Sequence, residues 1–163
     1  MPGSPDFSIL APVPLEHLKT GREIAITTGF VAFGSRKWDL FRKVDELRGA
    51  APVPVLIYPS HEGVSAKSNF LVSWLGWYVG CEESGSGKHS KGLTHRPPTT
   101  GQNVSDNQGH WAVFWHVSDL YELPVGQRLP ISAIQTVKGG WRKSAAPRGP
   151  ELVSTPSALE LPI

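Results

Sequence analysis

Aromatic side chains near the expected ends of strands and helices are the residues of this sequence with the most definable chemistry. The sequence of 163 residues contains six tryptophans. A nucleobase has two flat faces and a polar edge, so it is held by stacking on aromatic rings and by hydrogen bonds from short polar groups. We therefore predict a base-binding pocket. Its candidate residues are Phe33, Ser35, Trp38, Tyr58, Ser60, Trp74 and Trp77.

Each tryptophan also has a simpler interpretation as a core residue, because tryptophan is large and fills interiors. Trp111 and Trp115 share one face of an apolar strand, which favours the core. Trp74 and Trp77 fall on opposite faces of their strand, so both cannot fill the same interior. Trp38 begins a helix, where it is either a pocket wall or an anchor of the helix.

Basic residues form three groups, which we expect on loops and at helix ends. Lysine and arginine contacts to phosphates supply the salt-dependent part of nucleic-acid binding. One such group is usually a solvated face, whereas three together can hold a backbone. The formal net charge of +2 permits a nucleic-acid partner without requiring one. The predicted phosphate-binding residues are Arg36, Lys37, Lys88, Lys91, Arg96, Arg142, Lys143 and Arg148.

Catalytic patterns are weak in this sequence. The six histidines show no metal-ligand spacing, and His89 and His95 share one polar loop. Cys81 has no base close to it in sequence. The segment GSGKHS, Gly85 to Ser90, lacks the full spacing of a phosphate-binding loop, and no helix is evident behind it. We predict no enzyme activity, no metal and no cofactor.

One helix and three strands must position these residues. Apolar residues recur at helical spacing over 35–49, between an N-cap serine and a final glycine, which predicts a helix. Apolar, β-branched segments predict strands over 51–60, 70–83 and 111–117. Tyr58 and Ser60 end the first of these strands, where the alternative to a pocket is a half-buried tyrosine and a turn serine.

The rest of the sequence completes one domain. Residues 1–21 predict an N-terminal arm with one helical turn at 15–21. Alternation of Ile24 and Ile26 with polar residues predicts a strand in the segment 22–34. The domain is expected over 22–153, and residues 154–163 read as a tail or a linker to an effector domain.

Composition fits that organisation. The 17 glycines and 15 prolines favour many short strands. We therefore predict an α+β fold, a small curved sheet or barrel with one main helix and short helices at its rim. A single cysteine and no signal-peptide pattern favour a cytoplasmic chain, and no apolar run is long enough for a membrane span.

Three stretches resemble the PUA-like superfamily, in particular EVE and YTH domains. They are IYPSH from Ile57, LGWYVGCEE from Leu75, and QGHWAVFWHVSDLYELP with the later LPISAI. The helix after Ser35 also lies where these families place their first helix. In one respect the sequence departs from YTH domains, which carry a cage tryptophan soon after the first strand. Here that region offers Phe30 and Phe33, and Trp38 follows slightly later.

The resemblance implies recognition of a modified, flipped-out base. YTH domains read methylated adenine in RNA, and related prokaryotic modules fused to nucleases or GTPases read modified bases in DNA. We favour a methylated base in DNA, in a restriction or defence setting with a nuclease or NTPase effector. Two alternatives stay open: an RNA-binding domain of the same fold, and a small-molecule or nucleoside-binding domain similar to the ASCH type.

Overall fold

The computed structural model describes residues 7–59, 71–86, 88–91, 94–99, 111–136 and 149–156. These residues form two helices and eight strands. In chain order the elements are β1 (Phe7–Val13), α1 (Leu15–Thr28), β2 (Val31–Ser35), α2 (Trp38–Arg48), β3 (Val53–Pro59), β4 (Leu71–Val72), β5 (Trp74–Glu83), β6 (Val113–Glu122), β7 (Leu129–Pro130) and β8 (Glu151–Ser154). Short 3₁₀ turns cover Val125–Gln127 and Ile131–Ala133.

Six strands form one sheet in the order β2-β6-β5-β3-β1-β8, and β4 pairs with β7 separately. The pair β1–β3 is parallel and the other pairs are antiparallel. The predicted α+β class is therefore confirmed. Within the described residues the sheet is open, with β2 and β8 as its two edge strands. The predicted closed barrel is therefore not seen in this sheet.

The segment predicted to be an N-terminal arm supplies a central strand instead. β1 lies between β3 and β8, and Ile9 and Leu10 are fully buried. The correction has a physical reason, since the run SILAPV is apolar enough to be covered on both faces like other strands in the middle of a sheet. The arm interpretation gave too much weight to the prolines and glycine that precede this run.

The predicted strand over 22–34 is largely helix. α1 continues through Gly21 to Thr28, and its buried positions Leu18, Gly21 and Ala25 recur at helical spacing. Gly21 packs closely against β2, since a Cβ there would lie 3.2 Å from Cγ2 of Val31. The helix ends at Gly29, whose φ of 100° is left-handed and whose N–H bonds to Ala25.

The predicted helix and the three predicted strands are confirmed, except that the strand predicted over 70–83 is divided at Ser73 into β4 and β5, which belong to different sheets. α2 begins at Trp38, slightly later than expected, because Ser35 accepts the Lys37 N–H at 3.1 Å in a turn before the helix. Phe41 and Val44 are its buried residues. The strand predicted over 111–117 runs further, to Glu122.

The two faces of the sheet carry separate apolar clusters. α1 and α2 cover one face, and β4, β7 and the 3₁₀ turn at Ile131–Ala133 contribute to the cover of the other. The alternation predicted for β5 is confirmed, because Trp74 and Tyr78 enter the helix-side cluster and Leu75 the opposite one. Gly76 lies at a register shift against β6, and a Cβ there would lie 2.5 Å from Val117 Cγ1.

The loop after β5 covers one end of the sheet. We call its described residues, 84–86, 88–91 and 94–99, the strap. The outer edge of β2 is bonded to it, since Ala32 N–H donates to His95 O at 2.7 Å and the Arg96 guanidinium donates to Ala32 O at 2.7 Å. At its far end Thr99 bonds to His17 of α1. The strap thereby satisfies backbone groups that an edge strand would otherwise expose.

Candidate functional site

A groove of about 300 Å³ lies between the start of α2, the end of β5 and the start of the strap. Four side-chain groups in the groove can interact with a ligand: an indole, a guanidinium, a carboxylate and a hydroxyl. The lining residues are Trp38, Arg42, Glu83, Ser84, Gly85 and Ala112. A volume of this size is at the lower end of the range for small-ligand sites.

Trp38 is the exposed aromatic residue of the groove. Its side chain is on the first turn of α2, where the inward face is taken by Phe41 and Val44, and 43% of it is exposed. Arg42 follows one turn later on the same side, and its guanidinium carbon lies 4.7 Å from the centre of the indole ring. The helix thus presents an aromatic ring with a cation on one of its faces.

Glu83 connects this helix to the sheet. Arg42 Nε donates to Glu83 Oε2 at 2.8 Å, and both side chains are exposed, at 59% and 39%. The hydrogen bond to Glu83 raises the pKa of the Arg42 guanidinium. Because each charge of the pair offsets the other, the groove holds one cation and one anion in contact with no net charge.

The strap side of the groove is fixed by hydrogen bonds. Ser84 N–H donates to Ala112 O at 2.9 Å, and Ala112 N–H donates to Ser35 O at 3.0 Å. Ser84 Oγ donates to Lys88 O at 2.7 Å and accepts Lys88 N–H at 3.0 Å. These bonds use the Ser84 hydroxyl and the backbone groups of Ser84 and Ala112, and they fix the strap side of the groove in position.

The structure brings few of the predicted pocket residues together. Phe33, Tyr58 and Trp74 are exposed by only 4%, 1% and 2%, so their rings form core instead of a pocket wall. Ser35 is buried and supports the turn before α2. Ser60 lies outside the described residues.

Trp77 is half-buried, alternation along β5 puts it on the sheet face away from the helices, and it does not line the groove beside Trp38. It lies between two register shifts of β5 against β6, one on each side. Trp38 is therefore the predicted pocket residue that the structure places at the groove.

The predicted phosphate-binding residues also separate into groups. Arg36, Lys88 and Lys91 are exposed. Arg96 is 3% exposed and its guanidinium lies over the Phe114 ring at 5.1 Å, which makes it a structural residue. Lys37 donates from Nζ to Pro150 O at 3.0 Å. Outside the described residues lie Arg142, Lys143 and Arg148.

A histidine cluster was missed by the sequence reasoning. His89 of the strap and His116 of β6 approach to 3.1 Å between their Nε2 atoms. The rings of His95 and His116 stack on Phe30, at 4.0 and 4.3 Å between centroids. His116 lies 27 positions from His89, so the two rings meet only because the strap folds back over β6, and no local pattern signals this.

The hydrogen bonds of the histidine pair define its tautomers. His89 Nδ1 accepts the Lys91 N–H at 3.1 Å, so in the neutral ring the proton is on Nε2 and is donated to His116 Nε2. Burial, together with the charge of His89, lowers the pKa of His116 to about 4. Burial also lowers the pKa of His89, although the Glu82 carboxylate opposes this shift.

Glu82 holds the strap from the strand side. Its carboxylate accepts the Ser90 N–H at 2.6 Å and the Ser90 hydroxyl at 2.5 Å. Burial alone would raise its pKa, but the hydrogen bonds from Ser90 and the charges of His89 and His116 together keep the pKa below its ordinary value. Among the residues described here, no set of three or more His, Cys, Asp and Glu side chains is arranged to hold a metal ion.

A second, partly buried polar cluster joins α2 to β5. Asp45 accepts the Tyr78 hydroxyl at 2.9 Å and the Arg48 Nε–H at 2.7 Å, and the Cys81 thiol is 3.4 Å from the same carboxylate. Burial raises the pKa of Cys81 to about 11 and that of Tyr78 above its ordinary value. A thiol that is protonated at neutral pH is a poor nucleophile, so Cys81 is not a reactive cysteine. The role of the Asp45 cluster is structural, because its hydrogen bonds join α2 to β5.

Comparison with protein-family models, with curated proteins and with solved structures gave no match for this chain. The resemblance to PUA-like domains therefore stays a prediction from the sequence pattern. In the described part of the chain, no helix is long and apolar enough to cross a membrane.

Proposed function

We propose that this chain binds nucleic acid through one unstacked base that lies on the indole of Trp38. The observation that carries the proposal is the exposed indole at the groove, with the Arg42 guanidinium against it. A base stacks on the ring face opposite the guanidinium. Such stacking contributes about 1–3 kcal/mol per base and tolerates any base, because every base has a flat face.

Exposed cations near the groove supply contacts to the phosphate backbone. Arg36 precedes α2, and Lys43 follows Arg42 on its exposed surface. Lys88 is held beside the groove because its backbone bonds to Ser84. Each phosphate contact adds to the dependence of affinity on salt concentration, which gives the proposal a second measurable property.

The prediction of a methylated base in DNA is retained as part of this proposal. Burial of one methyl group against the indole contributes only about 1 kcal/mol. Titration of matched DNA strands with and without the methyl group measures this difference. Equal affinities would refute recognition of the methyl group but not the stacking of a base on Trp38. Matched RNA and DNA strands separate the DNA proposal from the RNA alternative, because a site that contacts the 2′-hydroxyl prefers RNA.

The central experiment is a fluorescence anisotropy titration of labelled single strands with Trp38→Ala and Trp38→Phe. We expect about tenfold weaker binding for the alanine variant and an intermediate value for phenylalanine. Leu47→Ala is the matched control, since Leu47 is on the same helix and is 56% exposed. Unchanged affinity in Trp38→Ala would contradict the proposal.

A second candidate is binding of a free nucleoside or a similar small molecule. The cancelled charges of Arg42 and Glu83 favour it, because a neutral groove does not attract a polyanion. Competition between a nucleoside and a labelled strand distinguishes the two functions. Tight nucleoside binding without measurable strand binding would establish the second candidate in place of the first.

A further inference from the structure

The strap crosses one end of the sheet and is attached there to three neighbouring strands. Glu82 of β5 accepts two hydrogen bonds from Ser90, and Ala32 of β2 is bonded to strap residues through both its N–H and its C=O. Between these strands lies β6, where His116 meets His89 of the strap. Only 3% of the His89 side chain is exposed, so this contact is sealed under the strap.

The histidine pair has room for one proton between its facing nitrogens. His89 Nδ1 accepts the Lys91 N–H at 3.1 Å, so the neutral His89 ring carries its proton on Nε2. His116 Nε2, 3.1 Å away, is the acceptor of that proton, and the neutral His116 ring carries its own on Nδ1. A further proton on His116 would set two N–H groups against each other. Transfer of the His89 proton to Nδ1 would avoid this, but it would remove the acceptor of the Lys91 N–H.

The surroundings of the pair also disfavour an added charge. The Glu82 carboxylate faces the pair from β5, 3.8 Å from His89 Nε2, and favours a charged ring. Burial of both rings and the positive charges on the strap act against it, and the pKa of each histidine is lowered. The strap residues concerned are Lys91, His95 and Arg96. From the connection between α1 and β2 the pair is faced by the uncharged ring of Phe30.

We propose that the His89–His116 pair is a pH-sensitive latch, which holds the strap on the sheet at neutral pH and releases it in mild acid. His116 belongs to β6 and its ring stacks on Phe30, so the strap is the part that moves. Once the strap has moved away, both rings meet water and each can take up a proton. Release exposes the N–H and C=O of Ala32 at the edge of the sheet. The latch does not depend on nucleic-acid binding, so it stands or falls apart from the proposed function.

Hydrogen exchange of the Ala32 amide, followed by NMR on the full chain, measures the release, because this N–H is bonded to His95 O. After correction for intrinsic exchange rates, the opening constant should be about 30-fold larger at pH 5 than at pH 7.5. This factor follows from a pKa of His116 of about 4 under the strap and 6.5 in the open state. In His116→Gln, whose oxygen can accept the His89 proton, the increase should be less than about fivefold, because only His89 is left to titrate.

The Leu123 amide is the control, since it donates to Ser73 O at 2.7 Å at the opposite end of β6. At pH 5 the Ala32 amide should exchange faster than the Leu123 amide, and low concentrations of urea should hardly change its rate, because a local opening exposes little surface. Equal opening constants for the two amides that rise together with urea would overturn the latch, because acid would then act only through unfolding of the whole chain. An opening constant of Ala32 that is equal at both pH values would also overturn it, as would a 30-fold increase that persists in His116→Gln.

The proton positions can be checked in the wild type without any substitution. Long-range ¹H–¹⁵N spectra of the histidine rings at pH 7.5 should show the proton of His89 on Nε2 and that of His116 on Nδ1. The opposite tautomer in either ring would remove the geometric basis of the latch.

Discussion

Acidification should destabilise this protein through His116 well above the pH at which most carboxylates titrate. Burial holds the pKa of His116 at about 4 in the folded chain, against an ordinary value of 6.5. The folded state therefore disfavours the charged ring. Stability from this group is complete above pH 6.5 and is lost as pH falls toward 4, since the unfolded chain takes up the proton first.

The magnitude follows from the two pKa values. Each unit of difference corresponds to about 1.4 kcal/mol, so the full loss is roughly 3 kcal/mol. Between pH 7 and pH 5 the expected loss is about 2 kcal/mol, because at pH 5 the unfolded ring is almost fully charged and the folded ring is not. His89 adds to this loss in the same direction, because burial lowers its pKa too.

The assay is urea denaturation at several pH values between 8 and 4, for the wild type and for His116→Gln. Glutamine does not titrate, but its oxygen can accept the His89 Nε2 proton. We expect the variant to lie within about 1 kcal/mol of the wild type at pH 8 and to lose less stability on acidification. A pH dependence equal to that of the wild type would refute the assignment of the shifted pKa to His116.

Three further predictions concern the fold. Gly76→Ala should lower the free energy of unfolding by about 1–3 kcal/mol in urea, because its Cβ would overlap Val117 Cγ1, and a smaller change would show that β6 can shift aside. Ile9→Ala should lower the free energy of unfolding by about 2–5 kcal/mol, because Ile9 is fully buried. Ile26→Ala, at a site that is 65% exposed, should change it by no more than about 0.5 kcal/mol. Equal effects of the two substitutions would contradict the burial of β1. Cys81 should be alkylated slowly at neutral pH and faster as pH nears its pKa of about 11, so rapid alkylation at pH 7 would contradict its burial.

Local sequence patterns were sufficient for the elements whose residues carry a clear period. The helix before Gly49 and the strands β3, β5 and β6 follow from helical spacing or from β-branched runs. α1 was misinterpreted because Ile24 and Ile26 happen to alternate with polar residues. Its true period is carried by Leu18, Gly21 and Ala25, and glycine gives no apolar signal although here it packs against the sheet.

Of the groove described above, the sequence predicted one residue, Trp38, and none of the contacts between residues that are distant in the chain. Trp38 was a candidate because it begins a helix next to two basic residues, Arg36 and Lys37. The contact of Arg42 with Glu83, and that of His89 with His116, both join residues far apart in sequence. Such contacts depend on how α2 and the strap pack against the strands, and no local pattern in a single sequence contains that information.

The position of β1 has a consequence for how the chain folds. β1 needs β3 on one edge and β8 on the other, and Ser8 and Thr155, whose hydroxyls are 2.6 Å apart, are separated by 147 positions. During synthesis on the ribosome, β1 is made before β8, so one edge of this apolar strand stays unpaired until β8 emerges. Contacts between such distant residues give a high contact order, which is typical of slow folding. A chain arrested before β8 would expose that edge, and we expect it to bind chaperones or to aggregate.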